Sequence, residues 1–241
     1  MKVHPSSWQF LSVLMICFLV ASLPTPAGAQ KKSRLSAPEM MQKAHENRAQ
    51  WDDFPGFSAD LVVFADTQRA AGQITVSAEG DIELQLTEDE SFSWISEDLQ
   101  SLVSHRLPQE DREYNVSFVA GQRATGLGRL IQFNEDRMHS VYRVRGNVIT
   151  EVHRTMDPKK MLISVIDVRR NPEKKYLPRS YSVTWTDAKT GKLLSTTVVN
   201  NQWVRVGRLD LPSRVLKVID KEDGSREVHD LRLSNHKLTT E

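Results

Sequence analysis

The chain has 241 residues, of which 26% are charged and 39% hydrophobic, the values of an ordinary folded protein and not of a disordered one. Its 32 basic residues face 31 acidic ones, and loss of a leader containing Lys2 brings the basic count to 31. A net charge of zero gives no electrostatic reason to expect nucleic acid or an anionic membrane as a partner.

The first residues read as three zones: a basic end with Lys2, an apolar run over residues 10–23, and a small-residue tail ending in Ala27-Gly28-Ala29. This is the pattern of a secretory signal peptide, with cleavage expected before Gln30. The apolar run falls short of the roughly 20 residues of a membrane-spanning helix, and no later run approaches that length, so no integral span is expected after cleavage. Cys17, the only cysteine, lies inside the leader, so the mature chain is expected to have neither disulfides nor thiol chemistry. Residues 30–35 form a basic linker, and residues 36–241 are long enough for a single domain.

Ser36-Ala-Pro-Glu39 matches a capping box that starts a helix. Met40, Met41, Ala44 and Trp51 follow at helical spacing, so the helix is expected to end before Asp52-Asp53-Phe54-Pro55-Gly56 and to bury a Met and Trp stripe against a sheet. From Phe57 the rhythm changes to short alternating runs rich in Val, Ile and aromatics. Strands are expected at 57–64, 73–78, 82–86, 115–120, 130–133, 139–145, 148–154, 161–168, 179–185, 192–206, 214–219 and 226–233. Turn residues such as Gly80-Asp81, Gly146-Asn147 and Asp223-Gly224 connect them. One segment breaks the rhythm: Trp94, Ile95, Leu99, Leu102 and Val103 share one face of a helix, expected to close over the sheet with Trp94 as its anchor. The fold class is therefore mainly β, a curved antiparallel sheet or half-barrel of about ten to twelve strands with an N-terminal helix and one internal apolar helix.

Ala44-His-Glu-Asn-Arg48, Trp51-Asp52, Phe54-Pro-Gly-Phe-Ser-Ala-Asp60 and the pairs His105-Arg106 and His153-Arg154 resemble a family known as a domain of unknown function (number 3386) through most of the mature chain. More loosely, the order of elements, with Leu211-Pro212 leading into a strand, resembles the periplasmic lipoprotein-localisation carriers. That second likeness is one of architecture and implies a curved sheet lidded by helices over an apolar cavity, with a lipid or lipid-modified partner.

No catalytic or metal motif is present. The six histidines of the mature chain fall in no ligand spacing, Gly126-Leu-Gly128 lacks the context of a phosphate loop, and there is no nucleophile elbow, so neither metal nor cofactor is expected. The acidic stretches around Glu88 and Glu110 read as solvated loops.

The hairpin around Gly146-Asn147 gives the most specific local expectation. A two-residue turn in a regular ladder pairs Arg143 with Thr150 and Val141 with Val152. Alternation then places His139, Arg143, Arg145 and Arg154 toward water, and Tyr142, Val144, Ile149, Glu151 and His153 on the opposite face. Tyr142, Glu151 and His153 are polar tips in an apolar field, and with Trp94 they are the candidate ligand-binding residues. They line a cavity or sit, satisfied, in a packed core or at its rim. Arg154 is set aside because neighbours on a strand point to opposite faces. Three functions remain open, in this order: an exported, non-enzymatic carrier of a lipid or lipid-modified partner; an interaction module of the cell envelope with a filled core; and a hydrolase whose site is scattered through the chain.

Overall fold

A computed structural model describes residues 35–86, 92–108, 113–122 and 125–239. The leader, its cleavage site, nearly all of the basic linker and the acidic stretches at 88–90 and 110–111 lie outside the described residues. Helix α1 (Ala37–Glu46) opens on the expected capping box: the Ser36 hydroxyl accepts from the Glu39 amide, and the Glu39 carboxylate accepts from the Ser36 amide at 2.7 Å. It ends earlier than its apolar spacing implies. Asn47 caps it, and Arg48 leaves in an isolated parallel bridge to Tyr176. Trp51 therefore reaches the core from the following loop, where its indole nitrogen donates to the Asp210 carbonyl at 2.9 Å.

Twelve strands follow: β1 (Phe57–Ala65), β2 (Gln68–Val76), β3 (Ile82–Leu86), then α2 (Trp94–Ser104), β4 (Val116–Phe118), β5 (Arg129–Phe133), β6 (Val141–Arg145), β7 (Val148–Met156), β8 (Lys159–Arg170), β9 (Tyr176–Asp187), β10 (Leu193–Val206), β11 (Leu209–Lys221) and β12 (Arg226–Leu238). They form one open, curved antiparallel sheet in the order β3-β2-β1-β12-β11-β10-β9-β8-β7-β6-β5-β4. The chain meanders through it except for one step, the long return from β3 past α2 to the far edge at β4. Close approach at the β2–β3 edge depends on Gly72, where a Cβ would fall 1.8 Å from the Gln85 carbonyl oxygen.

Both helices lie on the same face, called inner here. Following residue pairs across the ladders links Tyr142, Val152, Ile163, Val183, Thr197 and Ile219 on that face. At one end α1 packs on β4, β6 and β7 over Met41, Ile131, Val144 and Ile149. At the other, Ile95, Leu99 and Val103 of α2 enter a larger core with Phe57, Leu61, Ile74 and Leu231. A small third cluster of Ala49, Leu177 and Trp203 lies near the end of α2. Each cluster is the inner half of an alternating pattern, burying apolar side chains that the outer face would leave in water.

Candidate functional site

The Gly146-Asn147 turn has positive φ at both positions, the conformation that lets a two-residue hairpin match strand twist. Arg145 pairs with Val148 and Val144 with Ile149 in the expected register, but the regular ladder ends there. Arg143 pairs with Glu151, leaving Thr150 as a bulge whose hydroxyl donates to the Arg143 carbonyl at 3.3 Å. One extra residue reverses every later side chain. Ile149 and Val152 can then both face inward, an arrangement strict alternation forbids, and the bulge moves Glu151 and His153 to the outer face.

The expected trio is therefore divided. Glu151 forms an ion pair with Arg143 at 2.8 Å and contacts His153 at 3.0 Å on the outer face. Burial alone would push the Glu151 carboxyl up; its bonds to Arg143 and His153 outweigh that and hold it below the ordinary range. Tyr142 stays inward, tilted on Phe133 in the core beneath α1, and its hydroxyl accepts from Arg154 at 2.9 Å. Arg154 thus takes the inner place expected of His153. Trp94 also departs from expectation. Its ring is half-buried and stacks on His229 at 4.0 Å, while the deep anchors of α2 are Ile95, Leu99 and Val103. Its indole N–H is buried without an acceptor among the described residues.

Between the two helix-packed ends the inner face is left incompletely covered. Met161, Ile163 and Val165 of β8, Val183 and Trp185 of β9, and Ile219 of β11 are half-buried and belong to none of the three buried clusters. They line a trough that is apolar over β8 and β9 and is crossed on β10 by Ser195 and Thr197 before Ile219. At the strand ends it opens into a cavity of roughly 610 Å³ walled by Trp185, Leu194 and Ile219 and rimmed by Lys159, Lys192 and Lys221 with Glu222 and Asp223. Lys192 pairs with Glu222 and Lys221 with Glu227, whereas no carboxylate contact to Lys159 occurs among the described residues.

At the deeper end stands Tyr181, whose hydroxyl is pushed up to about 12, first by burial and then by the charge of Asp98. Next to it lies Arg106, only 4% exposed, with one guanidinium nitrogen donating to the Ala49 carbonyl at 2.9 Å and the group lying over the Trp203 ring. Burial and the neighbouring Arg48 bring the Arg106 guanidinium down to about 9.

The signal for the trough was present in part. Tyr181, Val183 and Trp185 alternate with Ser180, Ser182 and Thr184, which marks their inner face plainly, whereas β8 is apolar on both sides. Arg106 had no such signal.

Among the described residues no group of three His, Cys, Asp or Glu side chains gathers to hold a metal, and no helix is long and apolar enough to cross a membrane. The model of the family described as protein of unknown function (DUF3386) matches residues 32–239. The chain belongs to this family. No curated protein matches it. Among solved structures it is similar to a LolA superfamily protein from Nitrosomonas europaea, with 11% identity over 86% of this chain and 96% of that one and a TM-score of 0.31. It is also similar to a structure described as an outer membrane lipoprotein-sorting protein domain from Vibrio parahaemolyticus, with 9% identity over 85% and 92% and a TM-score of 0.33. A third is MucB in complex with MucA(peri), with 9% identity over 85% and 99% and a TM-score of 0.20. These superpositions are too loose to transfer a binding role.

Proposed function

We propose that this DUF3386 protein is an exported, non-enzymatic carrier that holds an acyl chain of a lipid or lipid-modified partner in the trough between its helices. The reading rests on one observation: an apolar strip over β8 and β9 on the inner face remains half-buried and leads, past Ser195 and Thr197 of β10, into a cavity of roughly 610 Å³. That volume lies within the roughly 300–1,000 Å³ of small-molecule sites, which are mostly apolar with a few polar groups. A flexible hydrocarbon chain fits such a strip because its burial needs no directional partner. The wall residues would lose their remaining water contact at about 25 cal/mol per Å² of apolar surface covered. Export follows from the three-zone leader, whose removal leaves the domain that carries the trough.

The test is binding of a fluorescent fatty-acyl probe to the full mature chain, alongside native mass spectrometry for a copurifying lipid. Ile163→Gln, placed in the middle of the wall, should weaken the probe at least about tenfold, roughly 1.4 kcal/mol. Absence of both probe binding and copurifying lipid rejects the carrier and favours an interaction module, in which the trough is covered by protein.

A further inference from the structure

Resting on the carrier reading, we propose that Arg106 and Arg154, with Arg48 and His105 beside them, seat the anionic head group of the acyl ligand on the inner face beside the trough. Arg106 is the central observation. It is almost fully buried, yet its bonded partner is a neutral carbonyl and its Nε has no partner among the described residues. A buried guanidinium is ordinarily matched by a carboxylate or a full set of acceptors, because losing hydration otherwise costs too much.

The nearest candidates for that role are engaged elsewhere. Asp210 accepts from Arg205 at 2.7 Å and from Asn171 at 3.0 Å through one oxygen, Oδ2, while its buried Oδ1 has no partner among the described residues and so does not bond Arg106. Arg154 gives one nitrogen to the neutral Tyr142 hydroxyl, and its Nε is also buried without a partner among the described residues. Asp136, whose carboxyl feels the Arg154 charge, accepts from the Ser140 amide at 2.8 Å and the Met138 amide at 3.2 Å.

The cations also act on one another. His105, exposed at the end of α2, is held below its ordinary pKa, first by partial loss of hydration and then by Arg48, Arg106 and Arg154, against the opposing hydrogen bond to the Ser101 carbonyl. Three guanidinium groups within electrostatic reach of one imidazole, two of them with a buried Nε that has no partner among the described residues, suit an oxyanion that accepts several charge-assisted hydrogen bonds. A carboxylate or a phosphate satisfies that chemistry. The adjoining apolar strip selects one attached to a hydrocarbon chain.

The experiment compares oleate, lysophosphatidic acid and oleyl alcohol on wild-type protein, Arg154→Gln and Arg106→Gln, and follows the His105 resonance during titration with inorganic phosphate. Wild-type protein should hold at least one of the two anionic lipids about tenfold or more tighter than the alcohol, and which of them is held identifies carboxylate or phosphate. Arg154→Gln, at a half-buried site, should remove that preference by weakening the anionic lipid about tenfold more than the alcohol; it keeps the test open where Arg106→Gln fails to fold. Phosphate should raise the His105 pKa, because an anion among the guanidinium groups offsets their repulsion. Equal binding of all three lipids, with no movement of His105, overturns the anion seat and leaves the trough standing. A phosphate-dependent shift without any lipid binding supports the seat and rejects the trough. Failure of both readouts rejects both.

Discussion

Replacing Leu99 with alanine tests how α2 is fastened. Leu99 is 1% exposed and sits in the main core with Leu61, Val63 and Leu231. Losing three carbons forfeits about 2.4 kcal/mol at about 0.8 kcal/mol each. The surrounding sheet is hydrogen-bonded on both sides and cannot collapse fully into the gap, so a cavity cost adds to this and the total should reach about 3–4 kcal/mol. Trp94→Ala removes a far larger side chain from the same helix and should cost only about 1 kcal/mol. The Trp94 ring is half-buried, the void beneath it is roughly 10 Å³, and its buried indole N–H has no acceptor among the described residues. Truncation recovers the desolvation penalty of that donor, about 1–3 kcal/mol, against the lost stacking on His229 and lost apolar burial. Urea unfolding followed by circular dichroism, with unchanged m-values, measures both changes. A loss of 3 kcal/mol or more for Trp94→Ala, or under 1 kcal/mol for Leu99→Ala, refutes this account of the helix.

Two further outcomes follow from ion pairs on the outer face. Asp230 is buried and holds both Arg214, at 2.7 and 2.8 Å, and Arg232, so Asp230→Asn should cost about 2–3 kcal/mol by urea melting. Burial raises the Asp230 carboxyl but the two arginines outweigh it, so its folded pKa lies below the ordinary value. Its stabilisation is therefore fully present above the unfolded carboxylate pKa and is lost as pH falls through the folded one. Wild-type protein should destabilise more steeply than Asp230→Asn between neutral pH and about pH 3; parallel acid profiles contradict the assignment. Glu151→Gln should cost about 1 kcal/mol or less and leave acyl-probe affinity unchanged, because the bulge turns Glu151 away from the trough. A tenfold loss of probe affinity would place Glu151 back on the inner face.

The strands were legible because their alternation is frequent and their turns use Gly, Asn and Asp. Even β8, apolar on both sides, could be placed as a strand although its inner side could not be told from its sequence. Helix α2 was legible through Ile95, Leu99 and Val103, but size pointed to Trp94 as the anchor, and only the packing shows it at the margin. The end of α1 was misjudged because Trp51 continues the helical spacing by coincidence. Its burial comes from a loop pinned by Ala49 donating to the Tyr176 carbonyl at 2.9 Å and Trp51 donating to the Arg106 carbonyl at 2.7 Å. The faces of β7 were misread because a bulge is a tertiary choice. Regular pairing would have turned either Ile149 or Val152 outward, and the core beneath α1 uses both.

That choice at Thr150 also decides which cation enters the interior. With a regular ladder His153 faces inward and Arg154 meets water; with the bulge Arg154 bonds Tyr142 and stands near His105. The residues that carry the family resemblance then fall into two kinds. Trp51, Phe54, Phe57 and Ala44 are explained by packing, since each is buried among apolar neighbours in a core cluster. Arg106 is not explained in that way. A leucine could fill its volume without a desolvated charge, and the carbonyl of Ala49 and the ring of Trp203 do not complete its donor set. In a fold whose ends are packed and whose middle remains half-covered, an anion arriving with its own hydrocarbon chain would meet both unmet needs together: acceptors for the guanidinium groups and apolar cover for Ile163, Val183 and Trp185.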